Sequence, residues 1–251
     1  MVKVVGLIFA GLLALAGWSP SAQASVPCAV RGHVIAGVAH SRVISVKGAV
    51  VVYRVRRESE QLRLDTVWVC DRKHGRAVRI GLDEWVPIEN LGEGHVPNKT
   101  LEHVQIAGPW VLATETEDED EGGCFKYEMS NCNGPGNTLV IANAAQGLAG
   151  SLASVRDYVE KLGKGGYVKT PEKAWTRTLL SPQGAVAWLE ESGAGSAKTT
   201  SLDGCLAQTV HGKIGCPIRM HAEGAIEPDS VGLSQRTLTW TVGGSAQAAV
   251  L

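Results

Sequence analysis

The densest group of chemically competent side chains is the run Glu115-Thr116-Glu117-Asp118-Glu119-Asp120-Glu121, six carboxylates in seven positions. Carboxylates at alternating positions suit a hard cation such as calcium, which collects six to eight oxygen ligands. Asp118, Asp120 and Gly122 match the opening of a calcium loop, but Cys124 and Phe125 follow where the pattern needs its closing acid. On an extended backbone, alternating residues splay to both faces instead of converging on one point. The run therefore reads as a solvated hairpin tip, and no metal site is expected.

Other chemistries fail on pattern. Ser192-Gly193-Ala194-Gly195-Ser196-Ala197-Lys198-Thr199 has the outline of a phosphate loop. Its first glycine position holds Ser192, and Ala197 replaces the glycine before the lysine. There is no G-x-S-x-G nucleophile turn. His33, His40, His74, His95, His103, His211 and His221 are scattered along the chain, with no C-x-x-C beside them, so zinc is not expected. Glu190 and Glu191 are adjacent, and on a strand they point to opposite faces, poor geometry for a catalytic carboxylate pair. His74 stands near Asp71 in a turn and is expected to face solvent. His211 precedes Gly212 in a hairpin turn. No catalytic residue and no cofactor are assigned.

Aromatic side chains offer a second route to ligand binding, as platforms. Trp68, Trp110, Trp188 and Trp240 lie in apolar strand-like segments; for Trp110, Trp188 and Trp240 that placement favours a core role. Trp85 and Trp175 fall in segments that read as loops and are the candidates for a surface binding role. Asn98-Lys99-Thr100 matches a glycan sequon, which a short pattern meets by chance.

These residues need elements to position them, and the first question is where the chain folds. Residues 1–24 have a single charge, Lys3, then an apolar run from Val4 to Ala16, and end on Ala22-Gln23-Ala24. That is the form of a cleavable secretory signal. The run of about 13 residues is shorter than the ~20 needed to span a bilayer. Loss of Lys3 leaves 23 basic residues against 25 acidic ones, a net of −2. So near-neutral a chain has no electrostatic case for nucleic acid or anionic membrane.

All six cysteines follow the signal, and an even count in an exported chain reads as disulfides. Of fifteen possible connectivities, spacing favours Cys124–Cys132 and Cys205–Cys216, which leaves Cys28–Cys70 by elimination.

The organising signal is repetition. A turn residue followed by a short apolar strand occurs at Gly48-Ala49-Val50-Val51-Val52-Tyr53, Gly108-Pro109-Trp110-Val111-Leu112-Ala113 and Gly184-Ala185-Val186-Ala187-Trp188-Leu189. Arg236-Thr237-Leu238-Thr239-Trp240 is a degraded fourth copy. A second element, an Asp or Asn four residues before a glycine, occurs at Asp71/Gly75 and Asn143/Gly147, with a weaker version ending Asp203-Gly204. Asx side chains and glycine together suit tight turns. One period holds about four strands, the content of a propeller blade. The spacing predicts an all-β chain after the signal, residues 25–251, forming a small or incomplete β-propeller of about four to five blades. A β-sandwich is the competing reading. Leu152, Val155, Val159 and Leu162, at steps of three and four, predict one short amphipathic helix near 151–162.

The G-x-W-V strand, the L-V-I-A-N-x-x-x-G turn, the segment L-x-S-P-x-G-A-V-A-W-L and the stretch Glu223 to Gly244 resemble uncharacterised exported bacterial proteins with propeller-like repeats. The resemblance implies a fold and a secreted, cell-surface or periplasmic address, and no activity. The expected function is a non-catalytic binding or scaffold module for a protein or glycan ligand. The rival classes are a hydrolase or lyase working at the propeller channel, and a structural partner of an envelope complex.

Overall fold

The computed structural model describes residues 28–30, 33–34, 41–58, 63–85, 98–118, 131–162, 166–169, 173–192, 199–217 and 219–251. The described residues form an all-β protein of mainly antiparallel sheets, with a single 3-10 turn at Pro228–Ser230. The first sheet is the meander β3 (Ser41–Lys47), β4 (Val50–Glu58), β5 (Arg63–Asp71) and β6 (Arg76–Trp85). Beyond β6 it adds β1 (Ala29–Val30), paired parallel to it, and β2 (His33–Val34). The second sheet runs β7 (Asn98–Ala107), β8 (Trp110–Asp118), β9 (Asn131–Asn143), β10 (Leu148–Leu162) and β11 (Gly166–Lys169). The third is β12 (Lys173–Leu180), β13 (Ala185–Ser192), β14 (Thr199–Leu206) and β17 (Arg219–Gly224), interrupted by the hairpin of β15 (Gln208–Val210) and β16 (Lys213–Gly215). The fourth is β18 (Gly232–Ser234), β19 (Thr237–Val242) and β20 (Ser245–Val250).

The sequence repeat is the turn into the second strand of each sheet. Gly48, Gly108 and Gly184 hold φ of 61°, 57° and 80° there, and Gln235 takes the same left-handed conformation at 52° before β19. The second element is the turn from third to fourth strand in the first two sheets. Asp71 Oδ1 accepts the Lys73 amide at 2.8 Å, and Asn143 Oδ1 accepts the Gln146 amide at 3.1 Å. The third version of this element is corrected: Asp203 and Gly204 lie inside β14, paired with His221 and Met220.

Continuous apolar runs occur because the middle strands bury both faces. Val111 and Ala113 of β8 face the first sheet beside Val52 and Val69, whereas Trp110 and Leu112 face the third beside Val186 and Trp188. On β13, Ala185, Ala187 and Leu189 face the fourth sheet beside Leu238 and Trp240. The four sheets thus stack face to face in chain order. Their first strands also adjoin, β3 to β7, β7 to β12 and β12 to β18. Trp110, Trp188 and Trp240 are core residues, as expected.

The helix near 151–162 is corrected to strand: β10 pairs with β9 along its length. The register shifts twice, between Ser151 and Ala153, where Leu152 is the extra residue on β10, and between Arg156 and Tyr158, where the extra residue is on β9. A bulge inserts an extra residue, and at Leu152 it breaks the period of two that marks a strand. Among the described residues, no helix is long and apolar enough to cross a membrane.

Cys28–Cys70 and Cys205–Cys216 are disulfides, with Cα separations of 5.8 and 5.5 Å. The first holds the N-terminal segment against the outer face of the first sheet, where Val51, Tyr53 and Ala77 pack around it. The second closes the base of the β15–β16 hairpin. Cys132 belongs to β9, and Cys124 lies outside the described residues. Of the acidic run, Glu115 to Asp118 end strand β8 and residues 119–121 lie outside the described residues. Residues 1–24 and 193–198 do so too.

Candidate functional site

Sequence reasoning placed Trp85 and Trp175 in loops, and both are in strands. Trp85 ends β6, paired with Arg63. Trp175 lies in β12 opposite Glu190, partly buried against the core between the second and third sheets.

The polar residues that the fold does bring together lie where the second and third sheets part. An open cleft of about 320 Å³ is lined by Ser151, Leu152, Ala153 and Ser154 of β10, Trp188 and Glu190 of β13, and Asp203 of β14. Trp188 forms the buried floor, and Ser151 and Ser154 are exposed at the wall. The register accounts for the convergence. Asp203 pairs with Trp188 across β13–β14, and Glu190 follows Trp188 by two residues, so all three share one face of the sheet. The adjacency of Glu190 and Glu191 disfavoured a carboxylate pair, and on β13 they do face opposite ways. Glu190 finds its neighbouring carboxylate on the next strand, in Asp203.

His221 and Glu223 of β17 extend this face. His221 pairs with Asp203, and Glu223 with Ser201. Nδ1 of His221 is 3.0 Å from Asp203 Oδ1, and Nε2 is 3.0 Å from Glu223 Oε1. Only a protonated ring donates through both nitrogens. The pKa of His221 is accordingly raised, first by the hydrogen bond with Glu223 and then by that with Asp203. The face therefore places His221 among three carboxyl groups, those of Glu190, Asp203 and Glu223. Among the described residues, no group of acidic, histidine or cysteine side chains is arranged to hold a metal ion.

Sequence reasoning missed Asp203, His221 and Glu223 as a site. A signal was present in Met220-His221-Ala222-Glu223, where polar and apolar residues alternate as on a half-exposed strand. What could not be read was the pairing of β17 with β14 across the inserted hairpin. His74 and His211 lie in turns, as expected. His74 is half-exposed, its Nδ1 2.5 Å from Asp71 Oδ2.

No protein-family model, no curated protein and no solved structure matches the chain.

Proposed function

We propose that the chain is an exported, non-catalytic binding module, built as an open propeller-like stack of four blades, that takes a cationic group in the cleft between its second and third sheets. The observation that carries this reading is the convergence of Glu190 and Asp203 above the buried Trp188, with Ser151 and Ser154 opposite. Such a lining suits the ammonium or guanidinium group of a protein partner, which donates hydrogen bonds and accepts none.

The engagement of His221 at both ring nitrogens favours binding over catalysis. A general base needs a nitrogen directed at the proton it removes, and here each nitrogen meets a carboxylate. Export is supported by the signal-like start and by the disulfides. The propeller reading is supported by the side-by-side first strands and the face-to-face sheets.

The test is calorimetric titration of the chain with an oligolysine peptide at low and high salt. Binding that weakens with salt and falls at least tenfold in Glu190→Gln with Asp203→Asn is expected. Absence of binding, or equal binding by the double variant, refutes the reading. Preference for a neutral oligosaccharide over the peptide would move the ligand class to glycans.

A further inference from the structure

Free sheet edges expose unpaired backbone groups, and proteins guard them with charged side chains, bulges or short length. Here β3 carries Arg42 and Lys47 and a bulge near Ile44. Strand β7 carries Lys99 and Glu102 and is also bulged. Strands β11, β12 and β17 carry Lys169, Lys173 and Glu223, respectively. The edges β2 and β18 have two and three residues. Among the described edge strands of four or more residues, β20 alone has no charge: Ser245-Ala246-Gln247-Ala248-Ala249-Val250. It is unbulged against β19, and its Val250 is 78% exposed.

The hairpin geometry says which backbone groups are free. Gly243 and Gly244 form a two-residue loop, so Val242 and Ser245 are a hydrogen-bonded pair. Alternation then turns Gln247 and Ala249 toward β19, and the bond from the Leu251 amide to the Arg236 carbonyl continues that parity. The N–H and C=O groups of Ala246, Ala248 and Val250 point outward.

We propose that β20 is a self-association edge, pairing antiparallel with β20 of a second copy about a twofold axis at Ala248. This goes beyond the cleft and does not depend on it. The register sets Ala248 against its symmetry mate and Ala246 against Val250. It joins two three-stranded sheets through about six backbone hydrogen bonds. A neutral strand pairs with itself without like-charge repulsion. The same operation on β3 would bring Arg42 near Lys47 of the other copy, which argues for β20 as the edge used.

The test is sedimentation equilibrium of the full chain over a wide concentration range, with backbone amide exchange. A monomer–dimer equilibrium is expected, in which Ala246, Ala248 and Val250 gain protection at high concentration. Ala248→Pro removes only an outward N–H, and Ala248→Lys sets two like charges together; each should weaken dimerisation at least tenfold with unchanged melting of the monomer. A chain that stays monomeric, or a dimer that both variants leave intact, overturns the proposal. So does protection of these three amides in the dilute monomer, which would mean another part of the chain covers the edge.

Discussion

The indole of Trp110 lies against the backbone of Gly184, so close that a Cβ on Gly184 would stand 2.5 Å from the ring. Two copies of one repeat meet here. The aromatic residue that begins β8 sits over the turn glycine that precedes β13, joining the second sheet to the third.

Gly184→Ala should therefore cost about 2–4 kcal/mol, from a strained positive φ plus a steric conflict in a packed core. Gly48→Ala supplies the comparison, because it has similar φ and nothing within 4 Å of its Cβ. Its expected cost is about 1 kcal/mol. Urea unfolding of the two variants checks the difference, and equal losses would show that Trp110 yields freely.

The two observed disulfides should differ in weight. Cys28–Cys70 closes a separation of 42 residues and Cys205–Cys216 one of 11. Loop-closure entropy then gives about 4 and about 3 kcal/mol. Paired alanine replacements, compared by denaturant midpoint, test the order. A larger loss from the hairpin disulfide would show that its contacts with the core outweigh chain entropy.

His221 should titrate above the ordinary histidine value in the native protein, since Glu223 and Asp203 both favour its protonated ring. A raised native pKa contributes stability that is fully present below about pH 6.5, the unfolded value, and fades as pH rises through the native value. NMR titration of the ring reads the shift directly. Glu223→Gln should bring the pKa part of the way down. A pKa that the substitution leaves in place would dissociate it from this pair.

Asp71 should work in the opposite sense. Burial raises its carboxyl pKa, but the His74 hydrogen bond and the Lys73 amide outweigh burial and leave it below the usual range. Its contribution is present above about pH 3.9 and lost as pH falls through the lower native value. Asp71→Asn keeps an acceptor for the Lys73 amide while removing the charge. The variant should lose less stability on acidification than the parent chain, as measured by melting between pH 5 and 2. Parallel acid limbs would count against the assignment.

Exported material should begin at or near Ser25. N-terminal sequencing of the secreted chain checks this, and retention of Lys3 would contradict it.

Period and punctuation alone determined that the chain is β and that its strands come in recurring groups. The glycines at 48, 108 and 184 were legible because only a residue without a Cβ readily takes positive φ, and a turn needs it at a fixed place. The runs after them were legible because strands buried on both faces contain few polar residues. Even the degraded fourth copy was informative: Thr237 and Thr239 alternate with buried Leu238 and Trp240 because the fourth sheet packs on one face. The strand character of β10 was hidden, since Leu152, Val155, Val159 and Leu162 imitate the helical period until the partner strand is known. The cleft was decided only by tertiary structure. Glu190, Asp203 and His221 lie on three strands, and their nearness depends on register across a hairpin insertion, a long-range choice that no local pattern encodes.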